Sequence, residues 1–592
     1  MHVAKLARRP LLRPIAGFVL FVLAIGSAAA SQDQANEHVL SLWAQTSQDG
    51  TATLVRQADG STRLEWRLNL SQDVYRNVIT APQDSGQTIT PFGTGDFNKT
   101  QFSTEVRLVS TGGDQAYLQW AGAASNDRAV LSRYREQLSN LQMGAVGPRY
   151  AVNAGDVAAN FSQLGSTLGL RGLHVSRQFD GWALASHVGV IGESWEALAN
   201  RAALDGRPAR SRFLRDVYGA KLDRAWSGSL KTFLSFQGYE DRESSLPQAP
   251  FAPSTTRAGT MGFNYQQGQF LLTGEAARSR FQEKNLSERV DRAFVLDGTW
   301  RSGAWAFRGG WHDVGPLFVS LAQAVPPGVR EHYLGADWTA APWLMLGMDA
   351  RDAVARTAAL EFPSLDPELP PPPPLPATRN RARTLNSRAN LNLGMASPSW
   401  MGWNMGVNAA QTRSEDASNQ ESSNDNFNAM LSYASAKWQF SSNMGIGKLS
   451  SAAAPTADSR SRNEQINLGR TWSETTATGL PVWSLGLQLN LGRNNQRLLS
   501  QGTSTTTSTL GVTMSGQRTG WGQASLALSE SITTQPNGGA DLKSRMAQLE
   551  MTRPLGTMNT LRAYYRYMQR NSGTATLETT ERVGGIQINL IW

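Results

Sequence analysis

Residues 483–492 read WSLGLQLNLG, and the alternation in this short stretch decides the fold. The odd positions from Trp483 to Leu491 are apolar, whereas the even positions from Ser484 to Gly492 are polar or glycine. Successive side chains of an extended chain point to opposite faces. The stretch therefore predicts a β-strand with one face suited to an apolar environment and the other suited to water.

The same pattern recurs in segments of about ten residues from residue 51 to the end of the chain. Apolar residues at 64, 66, 68 and 70 alternate with polar residues at 63, 65, 67 and 69. Apolar residues at 385, 389, 391, 393 and 395 alternate with polar residues or glycine at 386, 388, 390, 392 and 394. A soluble β-sandwich alternates because its apolar face packs into a core, whereas a transmembrane β-barrel alternates because that face meets lipid.

The connections favour the barrel, because short and long connections alternate along the chain. The long polar stretches are 192–211, 241–257, 315–330, the Pro-rich 356–383, 413–424 and 449–462. Short turns are predicted at Asp59-Gly60, Gly112-Gly113, Asp180-Gly181, Gln266-Gln267-Gly268, Arg301-Ser302-Gly303, Ala341-Pro342 and Ser435-Ala436-Lys437. Outer-membrane barrels have short periplasmic turns and long external loops, so we expect the long stretches to be external.

Tryptophans flank the predicted turns more often than they lie inside the segments. An indole is stable at the boundary between lipid and water, so these positions predict aromatic girdles. They are Trp182, Trp226, Trp300, Trp305, Trp343, Trp403, Trp438, Trp483 and Trp521.

The chain ends on a strand in which Ile586, Ile588, Leu590 and Trp592 share one face. This ending resembles the C-terminal assembly signal of outer-membrane β-barrels, an amphipathic strand with an aromatic last residue. The resemblance implies recognition by the barrel assembly machinery. We expect the C-terminus to lie in the periplasm.

The first 30 residues predict a secretory signal peptide. Lys5, Arg8, Arg9 and Arg13 precede an apolar run that extends to Ile25, and small residues follow up to Ala30. The run is shorter than the roughly 20 residues of a helical membrane span. We expect cleavage after Ala30, a short periplasmic segment at 31–50, and a barrel over 51–592.

The length of the chain predicts the size of the barrel. About 20 to 24 residues for each strand and its connection give roughly 24 to 28 strands. Single-chain bacterial barrels have an even number of strands, and we predict 26, in one all-β antiparallel sheet. The sheet must close, because each unpaired backbone group in lipid costs several kcal/mol.

Little in the sequence indicates catalysis, a metal or a cofactor. The chain has no cysteine, which removes thiolate metal sites and thiol nucleophiles, and no Gly-x-Ser-x-Gly motif accompanies its few histidines. His174 and His187 face each other across the Asp180-Gly181 turn, where they either coordinate a metal or belong to a site, or are lumen or interface side chains without chemistry. We expect no enzyme and no cofactor. The net charge of +9, part of which lies in the leader, gives little support to nucleic-acid binding.

The polar faces carry the candidate functional residues. In the segment 559–570, one face holds three arginines and the other is apolar or aromatic. We expect a water-filled lumen to be lined by such groups, which either pair with one another across strands or form a selectivity filter. The lumen candidates are Arg63, Glu65, Arg308, Arg388, Arg562, Arg566 and Arg570.

Two short motifs resemble a family of large export barrels, the fimbrial ushers. They are Ala154-Gly155-Asp156-Val157 and Leu168-Gly169-Leu170-Arg171-Gly172, which are similar to the Gly-Asp and Arg-Gly region of that family. The chain departs from ushers in lacking their N-terminal chaperone-binding region and their C-terminal domains. The expected size is also similar to the barrel sheath of porin-cytochrome conduits, although the cysteine pair often found in that family is missing.

Strand patterning begins by about residue 51, so we do not expect a plug domain ahead of the barrel or active uptake. We expect a wide passive conduit in the bacterial outer membrane, in contact with its lipid. It would export a polysaccharide or a protein, with a possible periplasmic export partner. The alternatives are a scaffold or sheath that holds a partner protein in its lumen, or a general diffusion porin.

Overall fold

The computed structural model describes residues 52–54 and most of 62–592. The predicted leader, the segment 31–50, the Asp59-Gly60 turn and most of the Pro-rich loop lie outside the described residues. No helix in the part described is long and apolar enough to cross a membrane. The ranges between 62 and 592 that are not described are 81–93, 111, 128–130, 132–133, 166, 192–194, 200–213, 243–252, 285–286, 321–325, 359–376, 453, 477–480, 537–538, 557 and 572–577.

The described chain forms one 27-stranded antiparallel sheet. The strands are β1 (Ala52–Leu54), β2 (Thr62–Thr80), β3 (Gly95–Ser110), β4 (Gln115–Ser125), β5 (Glu136–Gly147), β6 (Tyr150–Asn160), β7 (Thr167–Phe179), β8 (Trp182–Ile191), β9 (Arg215–Ala225), β10 (Leu230–Asp241), β11 (Ser254–Gln267), β12 (Phe270–Glu283), β13 (Arg289–Ser302), β14 (Trp305–Val314), β15 (Val329–Ala341), β16 (Leu344–Arg356), β17 (Arg379–Asn392), β18 (Trp403–Glu415), β19 (Glu421–Ala434), β20 (Trp438–Ser451), β21 (Ser459–Thr475), β22 (Pro481–Leu498), β23 (Thr503–Arg518), β24 (Gly522–Thr534), β25 (Leu542–Leu555), β26 (Asn559–Asn571) and β27 (Thr579–Ile591).

The sheet closes into a barrel of 26 strands, β2 to β27, as the sequence predicts. Each strand pairs with the next, and β27 pairs with β2 from Asn69 opposite Ile591 to Thr80 opposite Thr580. Trp592 and Leu68 continue the ladder through two backbone hydrogen bonds of 2.8 and 2.9 Å. The short β1 pairs with the start of β2. Closure leaves no free sheet edge in the barrel wall.

The two rims of the barrel differ in the length of their connections. One rim, which we call the turn end, carries the short connections together with the start of β2 and the C-terminal residue. The other, which we call the loop end, carries the longer ones, including 192–214, 242–253, 315–328 and 357–378. The short turns predicted from the sequence that fall within the described residues all lie at the turn end. The assignment of the loop end to the outside and of the C-terminus to the periplasm stays a prediction.

One face of the wall is apolar and the other is polar. In β22, Leu485, Leu487 and Leu491 are 37%, 41% and 41% exposed, because no protein covers the outside of the barrel. The alternate residues, such as Gln488 and Asn490, lie on the inner face of the wall. An outward apolar belt on a closed barrel is the architecture of a bacterial outer-membrane protein. The predicted location is confirmed by this arrangement.

Aromatic side chains form a girdle at the turn end. The nine tryptophans that the sequence places beside turns all flank connections of this rim. Trp305 stacks on Phe307 at 5.6 Å and on Trp338 at 5.4 Å between ring centroids. Arg224 lies between Trp182 and Trp226, at 4.5 and 5.2 Å from their ring centroids. Stacked indoles beside arginines suit the interfacial region of a bilayer.

The sequence predicts a strand that continues through residue 395, and this prediction is wrong beyond Asn392. β17 ends at Asn392, and Leu393–Ala396 forms the short helix α1. The Asn392 side chain accepts a hydrogen bond from the Met395 amide, and the next turn begins at Pro398, which lacks an amide donor. Side-chain capping at Asn392 therefore outweighs the apolar alternation of Leu393 and Met395. Two further helical segments are α2 (Trp195–Leu198) and a 3-10 turn at Pro455–Ala457.

The four residues of the predicted assembly signal lie on the outward face of β27. Ile586 is 58% exposed and Trp592 is 39% exposed. Ile586 lies opposite Val74 of β2, which is also on the outward face and is 56% exposed. Their recognition by the assembly machinery stays a prediction.

We expect Leu487→Arg to destabilise the folded barrel and Gln488→Arg to leave it nearly unchanged. Leu487 lies midway along the apolar belt, where an outward arginine costs about 2–4 kcal/mol, whereas Gln488 faces inward. The measurement is the unfolding free energy in lipid vesicles, from urea titration and the heat-dependent gel shift. Equal losses for the two neighbours would contradict the assignment of the faces.

Candidate functional site: the inner wall of the barrel

All seven lumen candidates from the sequence lie on the inward face of the wall, and most of them are paired. Arg63 forms an ion pair with Glu65 at 2.9 Å. Arg562 contacts Glu550 at 2.7 Å, and Arg566 contacts Glu581 at 3.4 Å. Arg570 is exposed near the loop end. Their role in selectivity stays a prediction.

Arg308 and Arg388 belong to a network with two aspartates across β14 to β17. Arg308 contacts Asp337 at 2.6 Å and also contacts Asp349. Arg388 contacts the same two aspartates at 2.5 and 3.3 Å. Each arginine therefore bridges both carboxylates, and the four charges neutralise one another.

Two glycines make room for this network. A Cβ atom on Gly335 would lie 2.2 Å from an oxygen of Asp349 and 2.7 Å from Nε of Arg308. A Cβ atom on Gly347 would lie 2.5 Å from an oxygen of Asp337. The guanidinium groups can lie flat on the wall only because these side chains are absent. The repeated Gly-x-Asp pattern at 335–337 and 347–349 is the signal that sequence reasoning missed.

Polar side chains also bridge the closing pair of strands on the inward face. Tyr564 Oη donates to the carboxylate of Asp73 at 3.1 Å. Gln587 Nε2 donates to Ser71 Oγ at 2.9 Å. These contacts join residues of β26 and β27 to β2, so they reinforce the seam at which the barrel closes.

Residues 161–165, which we call the inward segment, leave the loop end and pack on the inner wall. The backbone amides of Gln163 and Leu164 donate to the carboxylate of Glu275 on β12, at 3.0 and 2.9 Å. Leu164 is fully buried in an apolar cluster with Ala277, Ala293, Val295, Val314 and Phe318. The inward segment therefore runs from β6 to the inner faces of β12 and β13 and narrows the lumen.

A second stretch, residues 315–320, packs beside it. The Leu317 amide donates to Asp291 at 2.8 Å, and the Val319 amide donates to Ser279 Oγ at 3.1 Å. Gln237 Nε2 donates to Ser320 Oγ at 2.7 Å. Phe318 is 1% exposed and joins the Leu164 cluster. The two stretches together constrict the side of the lumen formed by β10 to β14.

The two histidines singled out by the sequence lie under the inward segment. His174 and His187 are directly opposite each other in the β7–β8 register. The ring of His187 is 4.8 Å from that of Phe161 between centroids, and the residue is 4% exposed. Within the described ranges, no group of three or more potential metal ligands occurs. The contacts favour a packing role for His187.

The inner wall formed by β18 to β24 carries no charged side chain among the described residues. Every Asp, Glu, Lys and Arg within these strands has the outward register. The inward positions hold mainly amides, hydroxyls and glycines. One circumferential row reads Asn408, Asn428, Gly445, Asn463, Asn494, Thr507 and Thr533.

The neutral side chains of this wall remain accessible. Asn408, Asn428, Asn463 and Asn494 are all exposed on the inward face. A cavity of about 270 Å³ lies on this wall, and its lining residues include Asn463, Asn490, Gly492, Asn494, Thr507 and Thr509. We call β18 to β24 the neutral wall. It offers many hydrogen-bond donors and acceptors without a fixed charge.

We expect Leu164→Ala to weaken docking of the inward segment and to widen the pore. Removal of a fully buried leucine costs about 2–5 kcal/mol, which raises the ratio of undocked to docked segment by at least about 30-fold. Single-channel conductance in a planar bilayer measures the change, as a larger or more frequent high-conductance level. The control is Gln163→Ser, because the Gln163 side chain is exposed. Unchanged conductance in the Leu164 variant would show that the segment does not limit the pore.

No protein family model matches the sequence, and no characterised protein matches it by sequence. Among solved structures, the chain is similar to the translocation pore of the P pilus usher PapC, with 10% identity and a TM-score of 0.34 over 89% of this chain and 99% of that one. It is similar to Pseudomonas aeruginosa OpdO, with 13% identity and a TM-score of 0.30 over 59% and 92%. It is also similar to Salmonella typhi OmpF in complex with daunomycin, with 12% identity and a TM-score of 0.26 over 50% and 90%.

Proposed function

We propose that this outer-membrane barrel is a wide, passive conduit for the export of a neutral polysaccharide. The observation that carries the proposal is the neutral wall, with its amides and hydroxyls and no fixed charge. A hydrated glycan presents hydroxyl groups all along its length, and such a wall exchanges hydrogen bonds with them without holding them strongly. A fixed charge on the wall would instead attract counterions and favour ionic solutes.

The charged part of the inner wall is compatible with this cargo. The network of Arg308, Arg388, Asp337 and Asp349 satisfies its charges internally, so it presents little net charge to the lumen. The inward segment narrows the pore beside this network, at β12 and β13, and limits leakage. A periplasmic export partner would deliver the polymer.

Protein export is the second form of this proposal, and the neutral wall favours it less. An unfolded polypeptide carries charged and apolar side chains, and neither finds complementary groups on β18 to β24. A diffusion porin would have to pass small solutes past the inward segment. Glycan export, protein export and diffusion of small solutes differ in which molecule occupies the lumen. The occupant can be identified by measurement.

The test is current block in single channels by polymers of different chemistry. We expect dextran, a neutral glycan, to block the current in discrete events at concentrations at which polyglutamate and polylysine do not. Block by the charged polypeptides alone would contradict glycan export and favour protein export. The absence of block by all three polymers, with free passage of small sugars, would favour a diffusion porin.

We expect the double variant Asn463→Ala, Asn494→Ala to shorten the dextran events by about tenfold, because each hydrogen bond contributes about 0.5–1.5 kcal/mol. The matched control is Asn495→Ala. Asn495 is the neighbour of Asn494 on β22, but its side chain faces outward and donates to Thr506 at 3.2 Å. Events that are equally short in the control, or unchanged in the double variant, would remove the neutral wall from the mechanism.

A further inference from the structure

The outward face of the barrel carries unusual clusters of cations at the loop end. On β11 to β13, Arg257 lies directly opposite Arg280, and Arg278 lies directly opposite Arg292. All four side chains have the register of the outward face and belong to exposed residues. We call these four arginines the first patch.

A second patch lies on β20 to β22. Lys448 is directly opposite Arg460, and Arg460 is directly opposite Arg497. Three cations therefore stand side by side across three strands, and all three residues are exposed. Like charges directly opposite each other destabilise a sheet. The row ends at Asp425 of β19, which lies directly opposite Lys448, so the excess of positive charge is greatest at Arg460 and Arg497.

The described residues supply few carboxylates to these patches. Glu288 lies 3.8 Å from Arg280, a distant contact between two exposed side chains. Glu464 is next to the second patch but pairs with Arg462. No ion pair occurs for Arg257, Arg278, Arg292, Lys448, Arg460 or Arg497 among the residues that the structure describes.

The first patch and Lys448 of the second patch border the apolar belt. The next outward row below Arg278 and Arg292 contains Ala276, Phe294 and Met261, and Met261 is 60% exposed. On β20, the next outward residue after Lys448 is Ile446, which is 46% exposed, whereas on β21 and β22 the outward side chains become apolar only at Ile466 and Leu491, six residues from Arg460 and Arg497. Two residues along a strand span about 6.6–6.8 Å, so the first patch and Lys448 are within reach of lipid head groups.

Two outward arginines of the turn end have aromatic partners. Arg470 lies over the rings of Trp438 and Trp472, at 4.8 and 4.7 Å from their centroids. Arg224 is placed in the same way between Trp182 and Trp226. Among the described residues, no aromatic ring lies under a cation of the two patches. Arg470 and Arg224 therefore provide cations with partners inside the protein against which the patches can be compared.

We propose that the first patch, together with Lys448 of the second patch, binds the phosphate groups of lipid A, the phosphorylated glycolipid of the outer leaflet, and that the loop end therefore faces the cell surface. Arginine is suited to this role, since its planar fork binds phosphate oxygens in pairs. A phosphate between Arg278 and Arg292 relieves the repulsion between these two opposed side chains. The inference depends on the location in the outer membrane and is independent of the cargo.

The test compares lipid A with its dephosphorylated form as ligands of the full-length folded barrel in detergent, with the bound fraction measured by native mass spectrometry. We expect the unmodified protein to prefer the phosphorylated form. The double variant Arg278→Gln, Arg292→Gln should lower the affinity for it by about 30-fold, at roughly 1 kcal/mol for each basic residue. The matched control is Arg224→Gln, Arg470→Gln, which removes the same charge from the turn end and should leave the affinity unchanged.

Three outcomes would overturn the proposal. They are equal binding of the two lipid forms, an equal loss of affinity in both double variants, and displacement of lipid A by an equal concentration of inorganic phosphate. The last would assign the patches to a free anion rather than to a membrane lipid. The heat-dependent gel shift confirms that each variant is folded. If the Gln variant does not fold, Arg278→Lys, which keeps the charge and removes the paired donors, should still weaken binding of the phosphorylated form.

Discussion

Backbone hydrogen bonding in lipid is the constraint on which the rest of this structure depends. The hydrocarbon layer offers no partner to an amide or a carbonyl, so each strand must be paired on both sides. The pairing of β27 with β2 satisfies the last two edges, and Trp592 completes it through its bonds to Leu68. The inner side chains of Tyr564 and Gln587 strengthen the same seam.

Closure also sorts the side chains, because the register of a closed ladder assigns each residue to one of two environments. The outward residues form the apolar belt with an aromatic rim on one side and a cationic rim on the other. The inward residues are not uniform. The charges on β14 to β17 are satisfied within the wall, whereas the neutral wall on β18 to β24 keeps its amides exposed to the lumen.

The sequence predicted the architecture well, because alternation is a local property that pairing preserves. The alternation and its spacing predicted the two faces of β22, the number of strands and the positions of the tryptophans beside the turns. The contacts of Leu164 with β12 and β13 were not, since they join residues far apart in sequence. The long stretches 413–424 and 449–462 were overestimated, because β19 begins at Glu421 and β21 at Ser459, in regions that are polar on both faces.

The closing pair has a consequence for how the barrel forms. Residues 69–80 pair with residues 580–591, so the contacts that close the ring join the first and last strands of the barrel. Contacts between distant parts of a sequence form slowly, and until they form, the first and last strands expose edges that favour aggregation. The ring also cannot close before its last strand has been synthesised and exported. Until residues 580–591 are in place, the edge of β2 at residues 69–80 therefore stays unpaired.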